Sequence, residues 1–463
     1  LNVEVQGDVH GQQEVVIDAE NGGYVQVSGG VSSSGGYVDI EADDYIETGA
    51  DVYAEGYVNM YSYNSGVTTS GSSVESVTGD IDIYAGGGGV YTGYLLAQDG
   101  HVDVSAEGDV DIDGDVNAQG NVDIQSGSGY VEVADTIESV DGHVELEAQD
   151  YVNVQGNIWS WDYVDILARN SGVGVDGEIT SSVGYVEITG NGGGVNVGGY
   201  IQANGGDLDV CAQGEVDISG EASADGHAQI EAQGGYVYVG GGVTASNDYV
   251  YVEAQDYIEI DGQVEGQGQV DLIANGGYVE TYGGDVISHT GNVNIDADGS
   301  IHTGAIEANG GDADITAYYE IDAAGGVHAQ GYVDLYAPNG YVQTTGDVTA
   351  DGGNVDIEAG SDYADIGGNI YSAGHVDVYS ADYVSIAGEV DADGYIDLWA
   401  QGGQVDVWGH LEASGGHVRA IADGGSVYID DSVVAGEYVD LYAQGYVEVQ
   451  GDVHGQQEVV IDA

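Results

Sequence analysis

The chain has 463 residues, of which 82 are Asp or Glu and only two, Arg169 and Arg419, are Lys or Arg, for a formal charge of −80. That charge excludes nucleic acid and anionic membrane as electrostatic partners, and one cysteine, Cys211, excludes an intrachain disulfide. An apolar content of 42%, with no Phe, 36 Tyr and 82 Gly, excludes both an acidic disordered chain and an ordinary core filled with Phe and Leu.

The first residues already carry the organising feature. Val3 to Ala19 read VEVQGDVHGQQEVVIDA, and Val447 to Ala463 read the same, 444 residues later. Between them a unit of about 21 residues recurs, starting at positions 14, 37, 57, 80, 101 and so on to 438. Repetition at that period is the mark of a solenoid, which grows by adding coils rather than domains. The coil from Tyr37 reads YVDIEA-DD-YIETG-ADVYAEG. Val38, Ile40 and Ala42 alternate with Tyr37, Asp39 and Glu41, the period of a strand with one buried face. Two more short alternating segments follow in the coil, and Gly at the corners is expected to supply positive φ where the chain bends.

Farther along, SYNSGVTTSGSSVE from Ser62 to Glu75 is the least regular stretch and is expected to form a longer loop. Coil length otherwise varies from 20 to 23 residues, and the variation sits in corners such as Gly86 to Gly89 and Gly192 to Gly194. The single Pro338 leaves no Pro-rich linker. The expected fold is all-β: a parallel, right-handed β-helix or β-solenoid of about 21 coils, three strands per coil, over residues 1–463 as one continuous body. Stacked at about 4.8 Å per layer, it would be a rod on the order of 100 Å long. Identical sequence at the 444-residue period reads as one long repeat of a longer tandem array.

These G-x-V-x-I/V-x-A coils resemble the β-helical shafts of filamentous-haemagglutinin-type adhesins and related giant bacterial surface proteins. The resemblance rests on pattern and covers nearly the whole chain. It implies secretion to the cell surface, a filamentous shaft and a role in adhesion, and it carries over no catalytic residue. The acidity and the Tyr content depart from that family.

Two outward columns carry chemistry. The position after the first inward Val is acidic in 15 of 21 coils: Asp39, Asp82, Asp103, Asp123, Glu145, Asp165, Glu187, Asp209, Asp271, Asp314, Asp334, Asp356, Asp377, Asp397 and Asp440. Like charges one layer apart repel by roughly 1 kcal/mol in water and by more near a protein surface. Such a ladder calls for counter-charge, and Ca²⁺ or another cation, held by several carboxylate oxygens, is the expected ligand beside a merely solvated face. Arg419 falls in the same column and is expected to bridge Asp397 and Asp440. The first position of each coil is Tyr in eight coils and His in five, a stacked structural ladder or a stripe for sideways association. Trp159 with Trp161, and Trp399 with Trp408, alternate outward as candidate contact patches for a sugar or a neighbouring fibre.

Catalysis is not expected. A polysaccharide lyase needs a basic residue to take a proton, and here there are two scattered Arg and no Lys. Carboxylates are too numerous to mark a hydrolase pair, and neither a phosphate loop nor a zinc spacing nor a nucleophile elbow occurs. No apolar run approaches the roughly 18 residues of a membrane span. The expected function is therefore a non-catalytic extracellular filament whose partner is itself. The alternative is a binding shaft that recognises glycans or another cell through its Trp and Tyr.

Overall fold

The computed structural model describes residues 1–463 and is all-β, a β-solenoid of about 22 turns with three strands per turn and no helix. Its contacts group the chain into two units, Leu1–Gly235 and Tyr236–Ala463. Each unit holds eleven turns, and in each the first, second and third strands of successive turns form three parallel sheets. The turn count exceeds the expected 21 by one because Val447–Val449, Val453–Gly455 and Glu458–Asp462 complete a further set of three strands.

Alternation decides which face is buried. In Tyr37–Ala42 the side chains of Val38, Ile40 and Ala42 are at most 1% exposed, while Tyr37, Asp39 and Glu41 are half-buried on the outer face. Register is strict, so Val38 stacks on Val58 and Ile40 on Met60, like over like. Backbone groups follow the same rule: Val38 N–H donates to the Tyr57 carbonyl at 3.0 Å, and Val52 N–H to the Ser73 carbonyl at 2.9 Å. A coil buries its apolar face only through the next coil. In Glu14–Ala19 the side chains of Val15 and Ile17 are 6% and 8% exposed, whereas their counterparts Val459 and Ile461 in the last coil are 43% and 52% exposed.

The corners correct one expectation. Most corner glycines do not have positive φ, and only Gly7, Gly22, Gly71 and Gly283 do. The others are required by close approach of one coil's backbone to the next. A Cβ on Gly36 would lie 1.4 Å from the Gln13 carbonyl oxygen. Corner amides also bond layer to layer, as Gly56 N–H does to the Gly36 carbonyl at 2.7 Å. The core columns hold a second surprise, since Ser and Thr occupy many inward positions at strand ends. Ser160 Oγ, fully buried, lies 2.8 Å from the Gly142 carbonyl of the preceding corner and 2.9 Å from the Tyr163 carbonyl. Ser126 and Ser139 also reach the preceding corner and accept an N–H three residues on. Their hydroxyls tie the corners together and are satisfied in doing so.

The irregular stretch from Ser62 is not an extended loop. It holds the short strand Val67–Thr68, in register with Ile46 and Val90, and a tight turn in which Ser70 and Gly71 adopt left-handed φ of 52° and 71°. Tyr282 and Gly283 repeat the device in the second unit, at 46° and 80°.

Gly36→Ala is expected to lower stability by about 1–3 kcal/mol, because the backbone it strikes cannot yield without moving a layer. Ser160→Ala should cost about 1–2 kcal/mol by leaving a buried carbonyl bond unmade. Thermal denaturation, with hydrogen exchange to localise the weakened coils, measures both.

Candidate functional site: an acidic ladder and its aromatic neighbours

The outer face of the third-strand sheet carries the acidic column where the periodicity put it. In the first unit Asp82, Asp103, Asp123, Glu145, Asp165, Glu187 and Asp209 stand on seven consecutive layers. Asp39 is separated from this run by Asn59. In the second unit Asp314, Asp334, Asp356, Asp377 and Asp397 are consecutive, Asn294 separates them from Asp271, and Arg419 stands between Asp397 and Asp440.

The two columns turn out to be one system. In four coils the aromatic at the first position, His143, His227, Tyr395 or His417, reaches back to the carboxylate of the layer before it. His143 Nε2 lies 2.8 Å from Asp123, the Tyr395 hydroxyl donates to Asp377 at 2.8 Å, and His417 Nε2 lies 3.1 Å from Asp397. The rings themselves stack, with centroids 4.4 Å apart for His143 and Tyr163, 3.9 Å for His375 and Tyr395, and 4.7 Å for His417 and Tyr438. His143, Tyr395 and His417 thus each gain a stacked neighbour and relieve a charge.

Where no donor reaches back, the carboxylates resist ionisation. Burial first, then the charges of flanking carboxylates, push Asp103, Asp165 and Asp334 up to about 6. Asp39 and Asp356 are raised for the same reasons. Tyr163 and Tyr395 are pushed up to about 12, chiefly by burial, so both stay neutral donors over the physiological range.

Arg419 does not form the expected bridge. It makes no ion pair within 4.0 Å with either Asp397 or Asp440, and Asp397 is met instead by His417. Arg169 is the arginine that pairs, through Nε and Nη2 to Glu147 at 2.9 and 2.7 Å. Cys211 is half-buried, its thiol pushed up by burial, with Gln233 Nε2 3.5 Å away.

Trp159 is half-buried on a second-strand sheet and Trp161, 48% exposed, sits at the corner beyond it, with no ring contact between them. Trp399 lies in the strand Ile396–Ala400 and Trp408 at the corner just past the next strand, Val405–Val407, so the two stand in neighbouring segments of one coil as expected. Trp399 meets Tyr379 edge-on at 5.3 Å, and Trp408 meets Tyr428 at 5.4 Å. Sequence reasoning also passed over a second Tyr ladder, on the residue before the first strand of many turns. Tyr24 stacks on Tyr45 at 4.6 Å, Tyr130 on Tyr151 at 4.9 Å, and Tyr341, Tyr363 and Tyr383 form a run at 4.9 Å. Its signal was the recurring Tyr after the first corner, as at Tyr45 and Tyr446.

Two mixed clusters could hold a metal ion: Asp123, His143 and Glu145, and Glu389, Asp391 and His410. In both, the His already shares hydrogen bonds with the carboxylates, His410 at 3.2 Å from Glu389 and 3.0 Å from Asp391. No known family model, curated protein or solved structure matches this chain.

The raised carboxylates give a pH dependence with a definite sign. Between the unfolded value near 3.8 and the folded value near 6, the native state binds more protons than the unfolded one. Stability should therefore rise as pH falls from 8 through 6 and level off below about 4. Replacing Asp103, Asp165 and Asp334 with Asn should flatten that profile and raise the melting temperature at pH 8. A melting temperature that fell steadily from pH 8 to pH 5 would refute the reading.

Proposed function

We propose that the chain is a non-catalytic structural segment of an extracellular, cell-surface filament, an acidic shaft that continues end to end. One observation carries this. The coil formed by Val3–Val5, Val9–Gly11 and Glu14–Ala19 and the coil formed by Val447–Val449, Val453–Gly455 and Glu458–Asp462 have the same sequence and the same strands. Whatever coil docks on the first fits the second with the same side chains, so the 444-residue period can be repeated without a new interface. The partner is then a further copy of the same period, joined covalently or by stacking of open sheet edges. The uninterrupted acidic runs call for cations between layers or between shafts, and Ca²⁺ suits carboxylate oxygens best.

A second reading is a binding shaft that holds glycans or a partner cell through its aromatic patches. It is favoured by the exposed Trp399 beside Tyr379, backed by an acidic column.

Electron microscopy of native material tests the filament. Expected are continuous fibres with a layer line near 4.8 Å. Discrete capped particles would overturn the proposal. Chelation with EDTA, or transfer to low salt, is expected to loosen or shorten the fibres, and unchanged length and melting across both would remove the role of bridging cations.

A further inference from the structure

In the second unit, a groove of about 430 Å³ runs along the stacking direction on the outer face of the third-strand sheet. One wall is the acidic column, Asp334, Asp356, Asp377 and Asp397 on four consecutive layers. The other wall is the outward position two residues on, where Tyr336, Glu358, Tyr379 and Trp399 stand, and Arg419 and Ile421 line the next layer at one end. Buried Ile357, Val378 and Leu398 lie beneath. The polar edges of two rings are already engaged, Trp399 Nε1–H donating to Asp423 at 3.0 Å and the Tyr379 hydroxyl to Gln401 at 3.3 Å. Trp399 remains 42% exposed and Tyr336 38%.

We propose that this groove binds a linear β-1,4-linked amino-sugar chain carrying free amines. The inference deepens the binding reading above and rests on it. Three features select the ligand. The groove repeats its column carboxylate once per layer over four layers, about every 4.8 Å, and a β-1,4-linked pyranose chain advances by nearly that distance per ring, whereas an extended peptide advances by about 3.3 Å per residue. Aromatic rings offer flat apolar faces that sugar C–H faces cover. One carboxylate on each of these layers opposes one ammonium per ring, and the charge of −80 repels anionic glycans. Trp408 is the internal control, because it is 56% exposed at the corner past Val405–Val407 and outside the groove.

The test is calorimetric titration of the whole chain at low ionic strength with a β-1,4-linked glucosamine hexamer, a β-1,4-linked glucose hexamer and hexalysine. The glucosamine hexamer is expected to bind. Trp399→Ala should weaken it about tenfold, as loss of an aromatic platform worth about 1.4 kcal/mol does, while Trp399→Phe largely restores it and Trp408→Ala has no effect. Circular dichroism confirms that the variants fold. Equal binding of hexalysine, or binding indifferent to Trp399→Ala, would show surface charge alone and overturn the proposal. A glucose hexamer that binds as tightly, with the same Trp399 dependence, would overturn the amine requirement and leave the glycan reading standing. Binding of neither hexamer overturns both, and fibre formation is untouched by any of these outcomes.

Discussion

The constraint on which everything else depends is the spacing of the backbone ladder. Parallel coils hydrogen-bonded in strict register put each residue about 4.8 Å from its counterpart in the next layer. Whatever a side chain is, its neighbour is usually the same kind. For Val, Ile and Ala this is favourable, and inward columns such as Val38 over Val58 are close-packed. For tyrosines it is also favourable, since 4.6–5.0 Å between ring centroids is a good stacking distance. For carboxylates it is a cost, and the outer face is organised around meeting that cost.

The cost is met by an offset. A Tyr or His one position before the strand leans back over the previous layer and reaches the carboxylate there, as Tyr395 does with Asp377. Stacking and charge relief thus come from one side chain. Where a coil begins with Asn, as at Asn121 after Asp103 and Asn354 after Asp334, no such contact forms and the carboxylate holds its proton up to about pH 6. The same layer spacing shapes the corners. Their backbones approach closely enough that Gly36 admits no Cβ, and buried serines such as Ser160 satisfy the carbonyls left between layers.

A surface built this way can also read a ligand of matching period. The groove beside Trp399 presents a carboxylate on each of four layers and a ring on three of them, so it suits a chain with one charge per unit and flat faces along its length. Shaft and binding surface are then two uses of one repeat. The proposed filament depends on the 444-residue period, and the proposed groove depends on one stretch of the second unit in which Tyr336, Tyr379 and Trp399 stand beside four consecutive Asp of the acidic column.

Period-two alternation and the recurrence of 21-residue coils were enough to establish the three-stranded turn, the inward residues and the acidic column, because each is a property of position within a repeat. The mutual stacking of Tyr37 and Tyr57 was legible for the same reason. Contacts between positions at different offsets were not. That His417 would take Asp397 while Arg419 stays without an ion pair, or that Trp161 would fall at the corner beyond the strand of Trp159, depends on where each corner turns. The role of the corner glycines was likewise hidden, since sequence shows that a residue lacks a side chain but not which backbone passes beside it. The sequence by itself determined what stacks on what along each column. Only the tertiary structure decided which columns stand side by side, because that follows from the path of the backbone around the corners and from the distance at which one layer meets the next.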